Sequence, residues 1–129
     1  MFHSISLKNA LVLIGLCLSQ PAGSAEFKKS PSTAGVPDVI QVVGDLALGD
    51  EKKFIDVAIS SPEAVVVFHS RGGNLFAGME IGRAIRLKGF ATLVPDDMLC
   101  ASACALAWLG GRVRLVPVRR NHAQQFPDA

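Results

Sequence analysis

Charge is scarce in this 129-residue chain: 19% of residues are charged, and 13 Lys and Arg against 11 Asp and Glu leave a formal net charge of +2. Aromatic residues are scarcer, at 6% with no tyrosine. A nucleic-acid surface combines a basic stripe with stacking rings, and none runs through the body of this sequence, so no nucleic acid is expected as a partner. Arg112, Arg114, Arg119 and Arg120 make the C-terminal end locally basic, which reads as solvated surface charge. Cysteine is sparse too. Cys17, Cys100 and Cys104 have neither a neighbouring histidine nor a second cysteine pair to fill a thiolate coordination shell, so no metal and no cofactor are expected. No apolar run reaches the roughly 20 residues of a permanent membrane span, and no internal repeat is evident.

Apolar side chains, in contrast, make up 50% of the sequence, which excludes a disordered chain. Part of this wealth sits at the N-terminus. Lys8 gives a weakly basic start, Ala10 to Leu18 form an apolar core, and Gln20 to Ala25 end in small residues suited to signal peptidase. Residues 1–25 are therefore expected to be a signal peptide cut after Ala25, sending the protein to the periplasm. An uncleaved signal anchoring it in the inner membrane is the alternative. Leu16 stands where a lipoprotein signal needs a small residue, so no lipidation is expected and Cys17 leaves with the signal. The remainder suffices for one small domain with a modest core.

Residues 26–37, rich in Lys, Ser, Pro and Gly, read as a solvated linker. Val39 to Val43 reads as a strand. Asp50 is placed as the N-cap of a helix that carries Phe54, Val57 and Ala58 inward and runs through Ser60, before Pro62. Ala64 to Phe68 is a β-branched run with the pattern of a strand covered on both faces. A helix from about Leu75 to Lys88 is expected to face Phe76, Met79 and Ile85 inward, to pair Glu80 with Arg83 outward, and to end at Gly89. Phe90 to Val94 is a further strand, Ser102 to Leu109 a short helix, and Arg112 to Val118 an alternating strand with one exposed face. Strands alternating with helices predict an α/β fold with a largely parallel sheet.

Two segments carry possible chemistry. His69-Ser70-Arg71-Gly72-Gly73 follows a buried strand, and Cys100-Ala101-Ser102-Ala103-Cys104 opens a helix. A serine nucleophile needs a base and preorganised donors for its oxyanion. Ser102 could be that nucleophile, with the Gly72 and Ala103 amides as donors. Taken singly, Gly72-Gly73 is an ordinary strand-to-helix turn and Ser102 a helix cap. His122 is the only histidine downstream of Ser102, and it also reads as a solvent-exposed tail residue. His69 could face a pocket beside the glycines. Cys100 and Cys104 fit equally a disulfide clamping the turn around Ser102 and two small thiols packed under the helix.

The ordered run Val66-Val67-Phe68-His69-Ser70-Arg71-Gly72-Gly73-Asn74, a helix containing Gly78 and Ile81, and then Cys100-Ala101-Ser102-Ala103-Cys104 resembles exported relatives of the Clp protease proteolytic subunit. The resemblance extends from about Val39 to Arg112 and implies a ClpP/crotonase-like fold. Carried over by position, the Ser-Pro-Gly-Gly turn of that family makes Gly72 an oxyanion donor, with Arg71 in place of the proline. The family's helix-opening serine makes Ser102 the nucleophile. The family's histidine follows that serine by some two dozen residues, and His122 comes somewhat early. Its acid arrives on a later segment that this sequence lacks; Asp128 is the nearest substitute.

Residues 38–118 are accordingly expected to be a partial domain of this type, shortened at the C-terminus, with 119–129 an irregular tail. The expected activity is that of a serine hydrolase or peptidase acting on peptide or protein. A noncatalytic remnant or peptide-binding module of the same fold is the alternative, and an acyl-CoA enzyme a third. A homo-oligomer is possible, although the helices that build the family's rings are missing.

Overall fold

A computed structural model of the chain describes residues 23–117. The elements run β1 (Glu26–Ser30), β2 (Asp38–Val43), α1 (Asp50–Ala58), β3 (Ala64–His69), α2 (Leu75–Lys88), β4 (Ala91–Leu93), α3 (Ala103–Leu109) and β5 (Arg114–Leu115). The five strands form one sheet in sequence order. β2, β3, β4 and β5 are mutually parallel, and β1 pairs antiparallel to β2. The domain is thus α/β with a mostly parallel sheet, as the alternation of strand and helix patterns predicted.

Register explains where the core lies. Ile40 pairs with Val66, and Val66 with Thr92; all three are fully buried. They share one face with Val42 and Phe68, and that face meets Phe54 and Ala58 of α1, Ile81 and Ile85 of α2, and Ala103, Cys104 and Ala107 of α3 in a single cluster. All three helices therefore cover the same side. Val39, Val65, Val67, Ala91 and Leu93 alternate onto the other side and are only half-buried. The expectation of a strand covered on both faces is corrected accordingly. The apolar run of β3 reflects one covered face and one partly open one, not two helical layers.

Residues 26–37 are not a solvated linker throughout. Glu26 to Ser30 pair with Val43 to Val39, and the Phe27 ring packs edge-on against Phe54 with centroids 6.2 Å apart. The alternation Phe27 and Lys29 half-buried, Glu26, Lys28 and Ser30 exposed is the pattern of an edge strand. Two lysines on that strand suit an edge, where charge discourages pairing with another chain. Only the segment after it is a turn, fastened by Ser32 N–H donating to Asp38 (3.0 Å) and Val36 N–H to Thr33 O (3.1 Å).

Helix boundaries came close, but two assignments invert. Phe76 and Met79 point outward, with more than half of each exposed. α2 instead buries Ala77, Gly78, Ile81, Gly82 and Ile85. The reason is the α2–α3 crossing: a Cβ at Gly82 would stand 2.8 Å from Leu106 O, and one at Gly78 would collide with the Ala103 carbonyl. Small residues let the backbones approach, so the largest side chains near the start of α2 are turned away. Asp50 is likewise the first residue of α1, after Gly49 as N-cap. Its buried carboxylate accepts from the Ala47 (2.8 Å) and Ala25 (3.0 Å) N–H groups, tying β1 and the preceding loop to the helix.

Other local expectations hold. Glu80 and Arg83 approach to 3.7 Å, and Gly89 closes α2 in the left-handed region. The C-terminal segment departs from its expectation: among the described residues it contributes only Arg114–Leu115 as strand, and both are exposed, so the alternation does not put one face against the core.

Candidate active site

The parallel strands end at a common edge, where ligand sites of open α/β sheets gather. Beyond β3 the chain is stitched to both neighbours. Ser70 N–H donates to Leu99 O (2.7 Å) and Ala101 N–H to Ser70 O (3.1 Å). On the other flank, Leu46 N–H donates to Gly72 O (2.6 Å) and Asn74 N–H to Leu46 O (2.8 Å). Asn74 then caps α2 by accepting the Ala77 N–H at 2.9 Å. An asparagine directly before an apolar helix is a readable cap signal, and it fixes where the glycine turn stops.

These constraints bring Gly72, Ser102 and Ala103 together, as their order in the sequence suggested. A Cβ on Gly72 would lie 2.7 Å from Ser102 Cβ, 2.7 Å from Ala101 O and 3.0 Å from Ala103 N, and Gly72 has φ +106°. Only glycine meets both the dihedral and the contact. The two segments that carry the sequence motif are therefore in direct backbone contact.

Ser102 is the one non-glycine residue at positive φ among the described residues, with φ 52° and ψ −126°. Such conformations cost about 1–3 kcal/mol. It occupies the N-cap position of α3, yet its side chain makes no capping hydrogen bond and is exposed. An ordinary serine cap adopts extended backbone and spends its oxygen on the helix. Ser102 does neither. Its strained backbone and unbonded hydroxyl just before a helix are features shared with a nucleophile elbow, but residues 94–101 form a loop after β4 with a single bridge, from Cys100 to Ser70, in place of a strand leading into the turn.

Cys100 and Cys104 are joined by a disulfide with Cα atoms 5.2 Å apart, within the range such a bridge tolerates. The bridge spans Ser102, so of the two sequence alternatives the clamp is the one realised.

The donors are in different states. The Ala103 N–H donates to no acceptor among the described residues. The Gly72 N–H is taken by Ser70 Oγ at 3.1 Å, and Ser70 is buried. Sequence reasoning missed this: Ser70 holds the amide assigned to the oxyanion.

A cavity of about 450 Å³ borders the turn, with Gly23, Asp45, His69, Ser70, Arg71 and Leu99 among its walls. Arg71 grips Asp45 with Nε donating to Oδ1 at 3.1 Å and a second bond from Nη2 to Oδ2. The guanidinium holds the Asp45 carboxyl below its ordinary range, and the carboxylate raises Arg71 in return. His69 Nδ1 accepts the Leu99 N–H at 3.2 Å, which leaves Nε2 as its remaining nitrogen. Ser102 is not among the cavity's walls. His122 and Asp128 lie outside the described residues.

Among the described residues no cluster of three His, Cys, Asp or Glu is disposed to hold a metal, and no helix is long and apolar enough to cross a membrane. No protein-family model matches the chain, and no curated protein or solved structure matches it either.

Proposed function

We propose that this chain is an exported serine hydrolase or peptidase-related protein of ClpP/crotonase-like type, with Ser102 as nucleophile. The observation that carries this reading is the strained backbone of Ser102, wedged against Gly72 and spanned by the Cys100–Cys104 bridge. Strain is retained where surrounding structure over-determines it, commonly at functional sites.

In this reading the base removes the Ser102 hydroxyl proton as Oγ attacks a carbonyl carbon, and the oxyanion is received by backbone N–H groups. Ala103 is ready to donate. Gly72 joins once its N–H leaves Ser70 Oγ, exchanging a neutral acceptor for a charged one, which makes the stronger bond. One donor of this kind is worth about 3 kcal/mol of transition-state stabilisation. His122 supplies the base and peptide or protein the substrate. The disulfide accords with export through an oxidising compartment, after loss of a signal peptide.

The engaged Gly72 amide favours a second reading, a noncatalytic peptide-binding module whose glycine turn is satisfied internally. Ester and peptide turnover by wild type and Ser102→Ala distinguishes the two. Hydrolysis abolished by the substitution supports the first; peptide binding without hydrolysis, unchanged in Ser102→Ala, supports the second.

A further inference from the structure

Asp50 is the most deeply buried carboxylate among the described residues, at 0% exposure, and it has no part in the chemistry above. Its partners converge from two directions. Oδ2 accepts the N–H groups of Ala47 and Ala25, while Oδ1 accepts from Ser24 Oγ and from Lys53 Nζ at 3.1 Å. Ala25 is itself a core residue, 5% exposed and clustered with Ile40, Val42 and Phe54. Its nitrogen stands 3.0 Å from the Asp50 carboxylate.

A cut after Ala25 would discard a core side chain and strip Asp50 of two donors. A cut one residue earlier keeps Ala25 in place. It also satisfies the small-x-small requirement of signal peptidase, with Ala22 and Ser24 at the two recognised positions. We infer that the chain is processed between Ser24 and Ala25, and that the α-ammonium so created is held by Asp50. Hydrolysis adds water across that peptide bond: Ser24 leaves with the new carboxylate, and Ala25 keeps the nitrogen, which takes up a proton.

Asp50 is already paired with Lys53 on Oδ1 at 3.1 Å, and a fixed ammonium at the Ala25 position would add a second charged partner on Oδ2, where an amide gives only a neutral hydrogen bond. Lys53 Nζ bonds Oδ1 directly at 3.1 Å, a contact that does not pass through Ser24. The same cut removes Gly23, one wall of the cavity beside Ser70 and Arg71. The inference rests on the export reading, and one experiment separates the two.

The full chain is expressed in a Gram-negative host, the cells are fractionated, and the product's intact mass and N-terminal sequence are determined. Periplasmic protein beginning at Ala25 is the expected result. Periplasmic protein beginning at Glu26 or elsewhere overturns the processing site while export stands. Full-length protein in the cytoplasm overturns both. The ammonium's seat is read separately, by the rate at which an amine-reactive ester modifies the N-terminal peptide. In the folded mature protein that rate is expected to fall about tenfold below the unfolded value, equivalent to one pK unit of protection, and Asp50→Asn restores it. Equal rates in folded wild type and Asp50→Asn overturn the pairing.

Discussion

Replacing Ser102 by glycine should stabilise the protein. The serine is held at φ 52°, ψ −126°, a conformation that costs an L-residue about 1–3 kcal/mol and glycine almost nothing. Glycine's greater freedom in the unfolded chain returns about 0.5–1 kcal/mol of that gain. The exposed hydroxyl makes no cap bond, so little else is lost. The net expectation is about 1 kcal/mol, which in a domain of this size raises Tm by about 4–8 °C. Ser102→Ala is the control: it keeps the Cβ and therefore the strain, and should stay within about 0.5 kcal/mol of wild type. Both are measured by calorimetry on oxidised protein. A Tm for Ser102→Gly at or below that of Ser102→Ala would refute the claim that this turn stores backbone strain, and with it the main support for an elbow.

Gly72→Ala should destabilise by about 2–4 kcal/mol, since its Cβ falls 2.7 Å from Ser102 Cβ at a φ that L-residues avoid; a denaturant midpoint unchanged from wild type would contradict the contact. Ser70→Ala releases the Gly72 N–H from its acceptor and should speed acylation of Ser102 by an activated ester while costing about 1 kcal/mol of stability; slower acylation would mean that Ser70 assists the site instead of occupying its donor. Replacing Cys100 and Cys104 by serine opens a loop of four intervals, and the chain-entropy relation gives a loss of about 2 kcal/mol, with slower Ser102 acylation as the turn relaxes; unfolding curves of the pair of variants check it. For Asp50, burial pushes the carboxyl up, but in the uncleaved chain, which still carries Ser24, the bonds from Ser24, Ala47, Lys53 and Ala25 outweigh it and leave the folded value lowered. Its stabilising contribution is therefore complete above about pH 4 and is lost as pH falls through the folded value. Acid unfolding followed by circular dichroism should be less steep in Asp50→Asn.

The elements legible in the sequence were those whose signals were local. The β-branched run of β3, the cap glycine Gly89 and the order of strands and helices each follow from neighbours in the chain. β1 was obscured because its serine and two lysines resemble linker composition. Its alternation becomes meaningful only once Phe27 meets Phe54, 27 positions away. Phe76 and Met79 were expected to face inward, yet Gly78 and Gly82 set the buried face by permitting close approach to α3; the small residues, not the large ones, carried the information. Contact between Gly72 and Ser102 could be anticipated from motif order, whereas the bond from Gly72 to Ser70 could not, because a serine two residues before a glycine has many partners open to it. Cys100 and Cys104 fitted two arrangements at the sequence level, and only the structure, with their Cα atoms 5.2 Å apart on either side of Ser102, shows that the bridge is the one formed.

The central claim is that Ser102 is a nucleophile. Its most direct measurement is to treat folded, oxidised protein with a fluorophosphonate and map the adduct by peptide mass spectrometry. The account predicts a single adduct on the peptide carrying Ser102, absent in Ser102→Ala and in unfolded protein. No adduct, or one on Ser70 in its place, would contradict it.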